Sequence, residues 1–298
     1  MAAEREDVSF ASGGDEVAAW LYGEGEGCVV MAHGFSLTRH DGLAPYAEAI
    51  AAAGPRVLVF DHRYLGDSGG MPRQHFSKRA QLEDWRNAVA FARALPGVDP
   101  ERIVLWGYSF AGGHVATLAA EDGRLAASIA LCPFLNGLPR VLHTPPAASA
   151  WLLPRALLSL AGGAVRIPVT GPPGSHAAMS LPGEADGFAR TVAPDSPWRN
   201  EIAPAPFATV AFHRPLARAK RVSCPVWVGA GERDISVDFK SAEKFAARVP
   251  RGEFHSYPYD HFEPFSGEAP TRISADQVDF LRRHGLARQP VERGLQSS

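Results

Sequence analysis

Short apolar runs of strand length alternate along the chain with segments of helical character. Most of the runs are apolar without interruption, which is typical of strands buried on both faces of a sheet. They lie at residues 17–22, 28–32, 57–60, 102–106, 127–131, 225–229 and 253–257. Such alternation predicts an α/β fold with one mostly parallel sheet flanked by helices. The first two runs are joined by the glycine-rich segment 23–27, which predicts a β-hairpin.

The alternation is interrupted by a long segment rich in proline and glycine. The segment contains Pro145-Pro146 and Gly162-Gly163, and its longest apolar stretch, 147–164, indicates a buried or pocket-lining helix. We therefore predict a core at residues 1–135 and 219–298, with a cap or lid inserted at 136–218. Open α/β sheets place their sites at the carboxyl edge of the sheet, so we expect the cap to cover that edge.

A serine stands where a predicted strand turns into a predicted helix. In "LWGYSFAGGH", residues 105–114, the turn around Ser109 has small residues at Gly107, Ala111, Gly112 and Gly113, and the predicted helix follows directly. Small neighbours permit a strained strand-to-helix turn that exposes the serine hydroxyl. A G-x-S-x-A pattern alone also fits a structural turn, so other parts of the chain must decide.

Other predicted strands are followed by an acid and by a histidine. "GERD" ends at Asp234, and "DHFEPF" contains His261. A serine hydroxyl needs an imidazole to take its proton, and the imidazole needs a carboxylate to orient it. We predict Ser109 as nucleophile, His261 as general base and Asp234 as the orienting acid. Asp238 and Asp260 are the competing acids: the first suits a helix N-terminus, and the second is too near His261 in sequence to brace its ring.

Two backbone amides are candidates for an oxyanion hole. "HGF" at residues 33–35 follows the strand at 28–32, and Phe110 begins the helix after the serine. The N–H groups of Phe35 and Phe110 are predicted to stabilise a tetrahedral oxyanion, aided at Phe110 by the helix dipole. His33 is interpreted as a support for the turn.

These motifs resemble those of the α/β-hydrolase superfamily over nearly the whole chain. The resemblance rests on "VVMAHGF", "VLVFDHRYLGDSGG", "DPERIVLWGYSFAGGH", "CPVWVGAGERD" and "DHFEPF". Within the superfamily the chain is most similar to serine esterases near the dienelactone-hydrolase, acetyl-esterase and Xaa-Pro-peptidase branches. It departs from the usual pattern at Ala111, where the fifth position of the serine turn is normally glycine. The resemblance implies a Ser109–His261–Asp234 catalytic triad and an acyl-bond hydrolase.

The substrate-contacting residues are less constrained by pattern. His40 follows the oxyanion turn, while Trp151 and Met179 belong to the inserted segment. All three are candidates for substrate binding. Side chains of an irregular segment do not map to a pocket by periodicity. For Trp151 and Met179, packing in the core of the lid is therefore as well supported as a position in the pocket wall.

Composition excludes several classes of partner. The formal charge is −2, from 30 basic and 32 acidic residues, so neither a nucleic-acid footprint nor a membrane-surface patch is indicated. The first residues are charged and lack an apolar stretch, so a signal peptide is not expected. No apolar run is long enough for a membrane span. Cys28, Cys132 and Cys224 show no metal-ligand spacing, which favours reduced thiols in the cytoplasm. We expect a small-molecule acyl substrate and no metal or organic cofactor, and a homodimer is left open.

The sequence therefore predicts a serine hydrolase that cleaves a carboxylic ester or a related thioester or lactone through a Ser109 acyl-enzyme. The same triad could serve carbon–carbon bond hydrolysis, peptide cleavage or acyl transfer, because the fold does not fix the substrate. A binding protein without activity is a further alternative, although an intact triad argues against it.

Overall fold

A mostly parallel sheet forms the centre of the protein in a computed structural model that describes residues 5–289. Within that range the strands are β1 Arg5–Ser12, β2 Asp15–Tyr22, β3 Cys28–Ala32, β4 Arg56–Phe60, β5 Ile103–Tyr108, β6 Ala127–Leu131, β7 Val226–Gly231 and β8 Gly252–Tyr257. The helices are α1 Ala44–Ala52, α2 Lys78–Ala94, α3 Phe110–Ala119, α4 Gly137–His143, α5 Pro146–Leu160, α6 Glu184–Thr191, α7 Phe239–Arg248 and α8 Ala269–Arg283. The predicted α/β class is confirmed.

The spatial order of the strands is β1-β2-β4-β3-β5-β6-β7-β8. The pairs from β4 through β8 are parallel, whereas β1 pairs antiparallel with β2 and β2 pairs antiparallel with β4. The predicted hairpin between 17–22 and 28–32 is therefore wrong, because β4 lies between those strands. Every residue of β3 is buried, so this strand takes a central position with a parallel neighbour on each side.

Helices cover both faces of the sheet and bury its side chains. On one face Trp85 of α2, Val115 of α3 and Phe245 of α7 pack in a common core. On the other face, Ile50 of α1 and Phe280 of α8 pack against alternate residues of the same strands. Burial on both faces explains why the central strands are apolar throughout.

The segment between β6 and β7 contains α4, α5, α6 and short 3-10 helices at Ala205–Ala208, Val210–Phe212 and Pro215–Arg221. Its apolar side chains share a cluster with residues of loops that follow β3, β4 and β8. The cluster includes Leu37, Leu65, Phe76, Ile167, Val169, Phe188, Ile202 and Phe262. The segment thus packs over the carboxyl edge of the sheet. None of the helices in the described part of the chain is long and apolar enough to cross a membrane.

Candidate active site

Ser109 occupies a strained turn between β5 and α3. Its φ is 54° and its ψ is −115°, in a region that non-glycine residues rarely adopt. Hydrogen bonds hold the turn on both sides: the Ser109 N–H donates to the Leu131 carbonyl at 2.9 Å, and the Phe134 N–H donates to the Ser109 carbonyl at 2.8 Å. A Cβ at Gly107 would lie 2.4 Å from the Ala111 carbonyl oxygen, so only glycine fits there.

A chain of hydrogen bonds links the serine, the histidine and the acid. The Ser109 hydroxyl lies 2.9 Å from Nε2 of His261, and Nδ1 of His261 lies 2.6 Å from Oδ2 of Asp234. The tautomer that suits both contacts has the Nδ1–H donating to the carboxylate and Nε2 accepting from the hydroxyl. Ser109 is buried, and the side chains of His261 and Asp234 are 4% and 1% exposed. The three residues predicted as a triad are therefore in contact in the predicted order.

The loop after β7 fixes the Asp234 carboxylate. Its Oδ1 accepts the backbone N–H groups of Ser236 at 2.8 Å and Val237 at 2.9 Å, which leaves Oδ2 for His261. The competing acids have other partners. Asp238 caps α7 by accepting from Ser241, and Asp260 accepts the N–H groups at the start of its own loop and pairs with Arg190.

Two backbone amides beside Ser109 remain free to donate. Among the described residues, neither the Phe35 N–H nor the Phe110 N–H donates to a protein acceptor. Gly34 has no side chain, which lets the backbone before the Phe35 amide approach the serine closely. A Cβ at Gly34 would lie 2.8 Å from the Ser109 Cβ and 3.3 Å from the Phe110 nitrogen. The arrangement has the donors that an oxyanion hole needs.

His33 supports this turn from behind. Its Nε2–H donates to the Asp41 carbonyl at 2.7 Å, and its Nδ1 accepts the Gly34 N–H at 2.9 Å. Burial lowers the pKa of His33 to about 4, so the ring is neutral at physiological pH and can accept at Nδ1. The imidazole thus fixes the backbone N–H of Gly34, the residue before Phe35.

An apolar pocket opens over Ser109 and His261. Its empty volume, open mouth included, is about 530 Å³. Its other lining residues are Phe35, Phe76, Phe110, Phe134, Arg140, Ala178, Met179, Pro206, Phe207, Val210, Ser236 and Val237. Most of them come from irregular segments that are far apart in sequence, and no local pattern marked Phe76, Arg140 or Phe207 as pocket residues.

Of the three predicted substrate contacts, only Met179 lines this pocket. The structure places His40 outside this lining: its Nε2 lies 2.7 Å from Oδ2 of Asp67, and its ring packs against Trp20. Trp151 also lies outside this lining and stacks on His176 with ring centroids 4.8 Å apart. Each ring packs against an aromatic partner of its own, and substrate contact by His40 or Trp151 stays a prediction.

Within the described range, two groups of side chains bring potential metal-ligand atoms within 4.8 Å of one another. One consists of His40, Asp61 and Asp67, but Arg39 already bridges both carboxylates. The other consists of Cys132, Asp234 and His261. In this group Nδ1 of His261 and Oδ2 of Asp234 are already hydrogen-bonded to each other at 2.6 Å, so neither atom is free to bind an ion. Neither group therefore fits a resident ion.

Comparisons with known proteins agree with this architecture. The family model described as serine aminopeptidase, S33 (Hydrolase_4) matches residues 23–262. The chain is 37% identical over 286 residues to the quorum-quenching protein AidA of Acinetobacter baumannii, covering 93% of this chain and 94% of that protein. It is 42% identical over 115 residues to the thiohydrolase aneE of Aspergillus aculeatus, covering 38% of this chain and 36% of that protein.

A solved structure extends the likeness to the fold. The α/β hydrolase GrgF from Penicillium sp. sh18 superposes with a TM-score of 0.79 at 24% identity, covering 94% of this chain and 99% of that one. The Hydrolase_4 match, the near full-length relative and the shared fold together show that this chain is an enzyme of the α/β-hydrolase family.

Proposed function

We propose that this enzyme hydrolyses a carboxylic ester, a lactone or a thioester through an acyl-enzyme on Ser109. The observation that carries the proposal is the hydrogen-bond chain from Ser109 through His261 to Asp234 at the floor of an apolar pocket. A structural serine has no need of a buried imidazole–carboxylate pair directed at its hydroxyl. The pair would leave that hydroxyl activated at neutral pH.

In the acylation step, Ser109 Oγ attacks the substrate carbonyl carbon while its proton passes to Nε2 of His261. The carbonyl oxygen takes the negative charge, and the free N–H groups of Phe35 and Phe110 are available to bind it. The imidazolium is stabilised by Asp234 at Nδ1. Collapse of the intermediate breaks the bond to the leaving oxygen or sulfur, which takes the proton from Nε2, and the acyl group stays on Ser109.

In the deacylation step, water attacks the acyl carbon and gives its proton to Nε2 of His261. The second tetrahedral intermediate collapses, and the Ser109 oxygen leaves with the proton from the imidazolium. The products are a carboxylic acid and the regenerated serine. No group beyond the chain's own residues and water enters either step.

Support for an acyl substrate comes from the pocket wall, because aromatic and aliphatic side chains favour an apolar group next to the scissile carbonyl. The names of the relatives guide the choice of bond. One is a quorum-quenching protein and another is a thiohydrolase, which places thioesters beside esters and lactones among the first compounds to test.

The test uses active-site labelling and a substrate panel in parallel. A fluorophosphonate is expected to label Ser109 alone, as read by mass spectrometry of the digested protein, and Ser109→Ala is expected to remove both labelling and turnover. Ser128→Ala is the matched control, because Ser128 is buried in β6 away from the pocket. Nitrophenyl esters, lactones and thioesters are assayed beside aminoacyl amides and β-diketones. Turnover confined to the amides or diketones would reject the proposed bond class, and a label on another serine would reject the nucleophile.

A further inference from the structure

Arg140 is the one Lys, Arg, Asp or Glu side chain among the described residues that line the Ser109 pocket. The wall around it is almost entirely apolar. A pocket of this kind uses its few polar groups to orient the ligand and to select it. Neither the serine nor the proton relay uses Arg140, so the hydrolytic mechanism does not account for its position.

Glu184 of α6 holds the guanidinium in place. Its Oε1 accepts from Nη1 of Arg140 at 2.7 Å and from the Ser236 hydroxyl at 2.8 Å, while Oε2 accepts from Nη2 of Arg140 at 3.2 Å and from the Leu181 N–H at 2.8 Å. Glu184 is 1% exposed. A carboxylate with this many donors is fixed, and the paired guanidinium is fixed with it.

The guanidinium retains unused donors. It has more N–H groups than one carboxylate accepts, and within residues 5–289 Arg140 donates side-chain hydrogen bonds only to Glu184. The ion pair is neutral overall, so it offers little attraction for a second carboxylate. Its free N–H groups suit an uncharged oxygen acceptor, such as a keto or hydroxyl oxygen.

Arg140 also lines a second cavity, between α4 and α5, with an empty volume of about 760 Å³ including its mouth. Most residues that line the second cavity are apolar, among them Val141, Leu152 and Leu153, and the polar side chains besides Arg140 are the hydroxyls of Thr144, Ser149 and Ser180. Arg140, Ala178, Phe207 and Val210 border both spaces. The arginine therefore stands between the serine and an apolar space that suits a hydrocarbon tail.

We propose that the preferred substrate has an acyl chain with an uncharged oxygen substituent, which accepts a hydrogen bond from Arg140, and an apolar tail beyond it in the cavity between α4 and α5. This proposal rests on the proposed acyl hydrolysis at Ser109. It makes Arg140 a specificity-determining residue, with Glu184 as the residue that positions it. The selectivity arises because a chain without the oxygen leaves the arginine donors desolvated and unpaired.

The experiment compares nitrophenyl esters of one chain length, either unsubstituted or with a keto oxygen at successive positions. For the native enzyme we expect one keto position to exceed the unsubstituted ester in kcat/KM by roughly 10- to 100-fold, mainly through KM. The double variant Arg140→Met/Glu184→Gln should bring that ratio close to one. Glutamine at 184 still accepts from Ser236, and it avoids a buried unpaired charge.

Two controls keep the test decisive. Arg155→Met removes an arginine of α5 that packs on Trp151 outside both cavities, and it should retain the native ratio. Fluorophosphonate labelling of Ser109 reports whether each variant is folded. A native enzyme without preference for any keto position overturns the proposal, as does a double variant that keeps the preference. If Ser109 takes no label and no ester is hydrolysed, the proposed function itself has failed, which is a different result.

Discussion

The backbone N–H of Ser236 donates to Oδ1 of Asp234 at 2.8 Å. The carboxylate is therefore already held by its own loop, and its other oxygen is directed at His261. Such an acid can be changed to an amide without loss of its position.

Asp234→Asn should keep the fold and lower kcat on the order of 10⁴-fold, because an amide favours the wrong imidazole tautomer. Asp260→Asn is the matched control: its side chain is partly exposed and, within residues 5–289, bonds only to its own loop and to Arg190. It should cost less than about tenfold, which is under 1.4 kcal/mol of activation free energy. Steady-state kinetics with circular dichroism compares the two. A larger loss in Asp260→Asn than in Asp234→Asn would move the acid.

Gly34→Ala should lower kcat on the order of 10²-fold. The added Cβ would meet the Ser109 Cβ at 2.8 Å and the Tyr108 carbonyl oxygen at 2.9 Å, and it would displace the Phe35 amide from the oxyanion position. Gly123→Ala is the control, because among the described residues a Cβ there meets only the Ser223 hydroxyl, at 3.9 Å. Equal rates for the two variants would remove the Phe35 amide from the mechanism.

Met179→Ala should shift the preferred acyl length, because Met179 lines the Ser109 pocket. Trp151→Ala should leave that preference unchanged and should lower the free energy of unfolding by about 1–3 kcal/mol, since the ring is half-buried against His176. A chain-length series and a urea titration measure the two effects. A changed preference in Trp151→Ala would show that this ring reaches the substrate.

The free energy of unfolding should fall as the pH drops below 6.5. Burial lowers the pKa of both His33 and His213 from 6.5 to about 4, so each is neutral in the folded protein and gains a proton more easily when unfolded. Their contribution is complete above pH 6.5 and is lost progressively as the pH falls toward 4. The loss is on the order of 3 kcal/mol for each histidine. Urea titrations at several pH values should show a smaller loss in His213→Gln, and an unchanged slope there would contradict the assignment.

Dialysis against EDTA should leave the activity unchanged. Arg39 already bridges the Asp61 and Asp67 carboxylates beside His40, and the Asp234 carboxylate beside Cys132 is already hydrogen-bonded to His261. The assay is repeated with added Zn²⁺. A loss on dialysis that Zn²⁺ restores would assign a metal to one of these groups.

The sequence by itself determined the residues that now meet at the sheet edge. Ser109, Asp234 and His261 each follow a strand of a parallel sheet, and the carboxyl ends of such strands lie side by side whatever the details of packing. The same rule placed the turn that contains Phe35. Local pattern sufficed because each residue is positioned by the strand immediately before it.

Only the tertiary structure decided the order of the edge strands and the shape of the pocket. The partner of β2 is β4 and not the next strand in sequence. Arg140 and Phe207 reach the serine from irregular segments, whereas His40 and Trp151 turn toward partners of their own. Periodicity carries no information about such positions, because they depend on contacts between residues that are distant in sequence.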